Sequence, residues 1–229
     1  MCVNTAKNFN SLINKNCAGI STQNYRIILI FATRIRSYSK MELAEALRCT
    51  YPVTDKTINK LLDVAELVQV KKKEAIVEQG KRTNYLFFVK EGLFRVAYEC
   101  EGKEDTICFG LDGDPFTSMH SLHKNEPAQF SCIALIDSVV YKISFSDIYR
   151  IMNENHDLAF WMNNLLVEQV YAFERRYIFL SNFDAPTRYE QFIKMRPELF
   201  SRIPMKYLAQ YLKMQPETIS RIRAKITKP

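Results

Sequence analysis

Residues 203–226, IPMKYLAQYLKMQPETISRIRAKI, read as two short helices joined by a tight turn. Pro204 and Pro216 each stand where a helix begins, because proline's fixed φ suits the first turn and its missing N–H costs nothing there. Leu208, Leu212, Ile219 and Ile222 supply an apolar contact face, and Ala209 offers a small side chain where the helices cross. Ala209 and Ile219 are ten residues apart, the spacing of the small and branched positions in a helix-turn-helix. Four residues after Ala209, where that motif often has a left-handed glycine, stands Lys213, a departure costing on the order of 1 kcal/mol.

A helix opening at Pro216 presents Glu217, Thr218, Arg221 and, further round, Arg223 near its exposed N-terminal half. That is the part of a recognition helix that meets the major groove. Arg221 can bond both acceptors of a guanine edge, Glu217 can accept from a cytosine amino group, and Thr218 can bond a phosphate or a base. Gln215, Lys206 and Lys213 can hold the phosphate backbone in register. The competing reading is an ordinary helical hairpin with charged faces.

Upstream, SNFDAPTRYE (181–190) ends one helix and starts another, with Asp184 as cap and Pro186 in the first turn. The spacing predicts further helical segments near 186–195, 204–212 and 216–226. Before this boundary a long helix is expected from about Asp157 to Ser181. Leu166, Val170, Phe173, Tyr177 and Leu180 recur in it with a 3.5-residue period, which keeps one seam facing a partner helix. Burial against the same chain can use the same stripe. A shorter helix, SFSDIYRIMNEN, precedes it, with Ser144 or Ser146 as cap.

From about Leu67 to Ser144 the texture is that of strands. LVQVK, EAIVEQG, YLFFVKEG, LFRVAYE, DTICFG, FSCIALI and SVVYKIS are short runs rich in Val, Ile, Phe and Tyr, and five of the six glycines fall among them. EGKE makes a hairpin turn. Such a series predicts a sandwich, roll or barrel. MELAEAL and TDKTINKLLDVAEL form a helical entry, the second capped by Thr54. The first 40 residues show no sustained period and are read as an appendage, with Met41 as a candidate natural start.

Charge is unevenly placed: +6 over residues 1–40, −7 over 41–174 and +8 over 175–229, within a net +7. A basic C-terminal segment behind an acidic middle fits contact with a polyanion, since localised Lys and Arg neutralise phosphates. The six cysteines, Cys2, Cys17, Cys49, Cys100, Cys108 and Cys132, show no paired spacing, which fits a reducing compartment, and the three histidines are too few for a rich nitrogen-ligand set. His120 and His123 can share a helical face, but neither a metal nor another cofactor is expected. No apolar run nears the ~20 residues that span a bilayer, and a cytoplasmic protein is expected.

The order of elements from Met41 to Lys225 resembles the CRP/FNR family of bacterial transcription regulators. QPETISRIR (215–223) is similar to that family's recognition-helix pattern E-T-x-x-R, and KKKEAIVEQG (71–80) with YLFFVKEGLFRV (85–96) is similar to its opening strands. The resemblance implies an α+β fold: a cyclic-nucleotide-binding-type β roll of the jelly-roll kind over 41–155, a dimerisation helix over 156–183 and a winged-type helix-turn-helix over 184–229, behind the basic extension 1–40. It implies base reading by Glu217 and Arg221 with Thr218 alongside. As partners it implies double-stranded DNA, a second copy of the chain, RNA polymerase and an unidentified small-molecule effector in a cavity of the roll.

The effector region departs from the pattern. Family members that bind cyclic AMP use a G-E-[IL] segment for the ribose and an R-[ST]-A segment for the phosphate. In GDPFTSMHSLHKNEPAQFSCIALIDS (113–138), Ala128 and Gln129 stand where Arg and Ser/Thr are expected, and Ser118 stands near the Glu position. An alanine cannot offset a buried phosphate charge, so the usual mode of cyclic nucleotide binding is not expected. Thiolates for an iron–sulfur cluster and a suitably placed haem ligand are also missing from the pattern. Two alternatives remain: a regulatory module that senses a ligand and binds a protein through its long helix, and a cupin-type metalloenzyme. H-x-H, H-x-x-x-H and G-x-S-x-G are all missing, which argues against the enzyme.

Overall fold

The computed structural model describes residues 42–226; the extension 1–40 and Met41 lie outside them. Two helices open the described chain, α1 (Leu43–Thr50) and α2 (Asp55–Val64). The strands are β1 (Glu66–Val70), β2 (Ala75–Val77), β3 (Tyr85–Glu91), β4 (Leu93–Cys100), β5 (Lys103–Leu111), β6 (Pro115–Phe116), β7 (Ser131–Ala134) and β8 (Ser138–Ser144), with the short helix α3 (Met119–Lys124) between β6 and β7. Helices α4 (Phe145–Glu154), α5 (His156–Asn182), α6 (Ala185–Met195), α7 (Pro197–Phe200), α8 (Met205–Leu212) and α9 (Pro216–Ile226) complete the described chain. Residues 184–226 contain no described strand, so no β wing flanks α8 and α9 among the described residues.

The strands form two antiparallel four-stranded sheets, ordered β1-β8-β3-β6 and β2-β7-β4-β5. The β4–β5 hairpin turns at Glu101 and Gly102, both at positive φ (51° and 73°), the backbone pair that a two-residue hairpin turn of matching twist requires. Between the sheets lie Val70, Val77, Phe87, Val89, Phe94, Val96, Ala128, Cys132, Ala134 and Val140. Phe116 packs on Phe94, ring centroids 6.0 Å apart, and covers Gly110 so closely that a Cβ there would stand 2.0 Å from Phe116 Cζ.

A second core joins α1, α2, α4 and the first half of α5 to β3 and β8. Trp161 of α5 is fully buried there; its indole N–H donates to Leu47 O at 2.9 Å and its ring meets Phe88 at 5.6 Å. Asp157, near the start of α5, accepts from Thr54 N and Oγ1 and from Thr57 Oγ1 at 2.8–2.9 Å, tying the long helix to the cap of α2. Burial opposes its ionisation, but these bonds together hold its carboxyl below the usual aspartate range.

Candidate nucleic-acid interface

Helices α6–α9 pack around Tyr189, Phe192, Leu199, Ile203, Leu208, Ala209, Leu212, Ile219 and Ile222, and the same core continues into the roll through Leu93 and Phe109. Asp184 caps α6 by accepting from Thr187 N at 3.0 Å. The crossing of α8 and α9 buries Ala209 and Ile219 against each other's helices, the two positions singled out by spacing.

The turn between α8 and α9 is held in an unusual way. Lys213 adopts the left-handed conformation, φ 53° and ψ 53°, and Met214 N returns to Ala209 O at 3.0 Å. Two arginines take up the carbonyls that α8 leaves at its end. Arg188 of α6 donates to Leu212 O at 2.9 Å, Lys213 O at 3.2 Å and Phe183 O at 2.7 Å. Arg176 of α5 donates to Tyr211 O and stacks on the Tyr211 ring, 4.0 Å from its centroid. Positive charge at a helix C-terminus is favourable in its own right.

On the outer side of α9, Glu217 and Arg221 are exposed and Thr218 is half-buried, with Arg221 Nη2 3.4 Å from Thr218 Oγ1. Gln215 and Lys206 are also exposed. Arg223 stands apart from them: its Nε donates to Tyr189 OH at 2.7 Å and its guanidinium lies 4.5 Å from the Phe200 ring, so it holds α9 to α6 and α7. Lys213 is exposed but ion-paired with Asp105 of β5.

That pair belongs to a polar contact between α8 and the β4–β5 hairpin that sequence reasoning missed. Arg95 is buried on β4, forms a two-point pair with Glu104 (2.6 and 2.9 Å), and lies 3.9 Å from the centre of the Tyr207 ring. Gln210 accepts from Thr106 Oγ1 at 2.7 Å and donates to Glu104 O at 2.8 Å. The Arg95 hydrogen bond holds the Glu104 carboxyl below the usual glutamate range, with a smaller contribution from the field of Lys206.

The three residues expected at an effector site differ in their surroundings. Ser118 is buried and caps α3, accepting from Ser121 N at 3.2 Å. Ala128 is buried in the inter-sheet core, its backbone bonded to Lys81 O and Gly80 N. Gln129 is exposed and donates to Pro127 O at 3.1 Å. Among the described residues no group of three or more His, Cys, Asp or Glu is arranged to hold a metal, and no helix is long and apolar enough to cross a membrane.

On α5, Val170, Phe173 and Tyr177 of the expected seam are 59%, 65% and 74% exposed, whereas Leu166 and Leu180 are half-buried. Phe160, Val167, Tyr171 and Ile178 are exposed as well and broaden the apolar face. A strict 3.5-residue count follows one row and passes over its neighbours.

Residues 67–155 match the family described as "Cyclic nucleotide-binding domain". No curated protein matches the chain. Among solved structures, it is similar to FixK2 from Bradyrhizobium japonicum, with 19% identity, 71% of this chain and 84% of that one covered, and a TM-score of 0.63. The CooA mutant from Carboxydothermus hydrogenoformans gives 18% identity, 84% and 87% coverage, and a TM-score of 0.61. The Thermus thermophilus Catabolite Activator Protein gives 19%, 80% and 87%, and 0.52. Residues 67–155 therefore match a cyclic nucleotide-binding domain, and the fold of the chain is similar to the folds of these three solved proteins.

Proposed function

We propose that this protein is a homodimeric, sequence-specific DNA-binding transcription regulator. The observation that carries the proposal is the outer face of α9: Glu217, Thr218 and Arg221 stand together and clear of the roll, on a helix-turn-helix in the basic part of the chain. In this reading Arg221 takes a guanine edge, Glu217 a cytosine amino group, and Thr218 a base or phosphate. Gln215, Lys206 and Lys213 contact the backbone. Arg223 supports the helix from behind instead of reading bases. The exposed apolar face of α5, including Val170, Phe173 and Tyr177, packs against its counterpart in a second copy, placing two α9 helices on half-sites about one turn apart. The buried Ala128, standing where an arginine is expected, supports a regulator that does not take cyclic nucleotides in the usual mode.

Selection of bound duplexes from a random pool, with and without small molecules from a cell extract, tests binding, half-site symmetry and effector dependence together. Arg221→Ala is expected to cost about 1–3 kcal/mol on the selected site and to relax preference at one base pair, whereas Lys206→Ala weakens all duplexes about equally. An unchanged base preference in the Arg221 variant contradicts the assignment.

A further inference from the structure

The α8–hairpin contact sets a cation of the reader against a carboxylate of the roll. Lys213 is ion-paired with Asp105. Lys213 is assigned to a phosphate above, and Asp105 directly follows Glu104 on β5. Glu104 is pinned by Arg95 and Asp105 accepts from Thr106 N at 2.9 Å, so the two carboxylates are held in place by the hairpin.

We propose that Asp105, held on β5 beside the Arg95–Glu104 pair, forms an acidic latch that competes with DNA phosphates for Lys213. The proposal rests on the DNA-binding reading. A lysine already neutralised by a carboxylate gains little from a phosphate, and the carboxylate it would leave behind repels the duplex. With the latch closed, the reader keeps its base-facing residues exposed but binds with fewer phosphate contacts. Opening the hairpin raises affinity without changing which bases are read.

The test uses the full chain and a fluorescently labelled duplex of random sequence, titrated at several salt concentrations. Asp105→Asn keeps the side-chain acceptor for Thr106 N and removes the charge. It is expected to raise affinity about 3- to 10-fold and to steepen the slope of log K against log[salt] by about 0.9 per protomer, the signature of one additional phosphate neutralised. In a Lys213→Ala background, Asp105→Asn is expected to give neither the gain in affinity nor the steeper slope. Asp55→Asn, the same charge change on α2, is the control and is expected to leave the slope unaltered. An unchanged affinity and slope in Asp105→Asn, or an equal rise in Asp55→Asn, overturns the latch and leaves the DNA reading standing. Failure of the parent chain and every variant to bind any duplex overturns both.

Discussion

Arg188→Ala is the sharpest probe of how the helix-turn-helix is held. The guanidinium makes three bonds, to carbonyls of Phe183, Leu212 and Lys213 at 2.7, 2.9 and 3.2 Å, bridging the entrance of α6 to the end of α8. A hydrogen bond to a charged group contributes about 1.5–3 kcal/mol when well buried. Arg188 is only half-buried and water can reach the vacated carbonyls, so about 3 kcal/mol for the whole set is the appropriate scale. Arg188→Lys keeps the charge but cannot span carbonyls 183 and 212 from one nitrogen, and is expected to lose about 2 kcal/mol of it. At the usual 2–4 °C per kcal/mol for a chain of this size, the alanine variant melts roughly 6–12 °C lower, as read by calorimetry. Because the Lys213 turn loses its support, affinity for the selected duplex should fall as well. A lysine variant as stable as the parent, or a loss below about 0.5 kcal/mol in the alanine variant, refutes the bridging argument.

Two further outcomes follow from the packing and the charges. Gly110→Ala places a methyl against the Phe116 ring and is expected to destabilise the roll by about 2 kcal/mol in urea unfolding, while a following Phe116→Leu restores at least half; no restoration means the ring is not the obstacle. Glu104 has a folded pKa held below its ordinary 4.5 by Arg95, so its contribution to stability is fully present above that value and is lost as pH falls through the folded pKa. The stability difference between the parent and Glu104→Gln, followed from pH 7 to pH 3, should therefore shrink in the acid part of the range, and a constant difference counts against the pairing.

Local chemistry was the legible part. The caps Thr54, Ser144 and Asp184 each accept from the amide three residues on, because a cap is decided within one turn of chain. Pro204 and Pro216 border α8 and α9 for the same reason. The strand runs were readable from branched and aromatic residues, although EAIVEQG yields only the three-residue β2, and the two-residue β6 was too short to leave a pattern. The helix α3 was also unread, and with it the reason Ser118 is buried: its hydroxyl serves a cap.

What escaped the sequence was contact between distant residues of mixed type. Arg95 meets Gln210 and Tyr207 from more than a hundred residues away, and nothing in LFRVAYE distinguishes an arginine that stacks on a tyrosine from one that snorkels into solvent. Strand alternation gives a reason to look. Phe94 and Val96 belong to the inter-sheet core, so the residue between them faces outward, and an outward position that is nonetheless buried needs another layer of protein above it. In this chain that layer is α8, and the cost of burying the guanidinium is offset by a carboxylate, an aromatic face and, at the longer distance of 3.5 Å, the side-chain amide oxygen of Gln210. Whatever displaces β4 from the inside must therefore either carry α8 with it or break that arrangement, and because Glu104 and Thr106 of β5 complete the contact, the β4–β5 hairpin as a unit links the interior of the roll to α8.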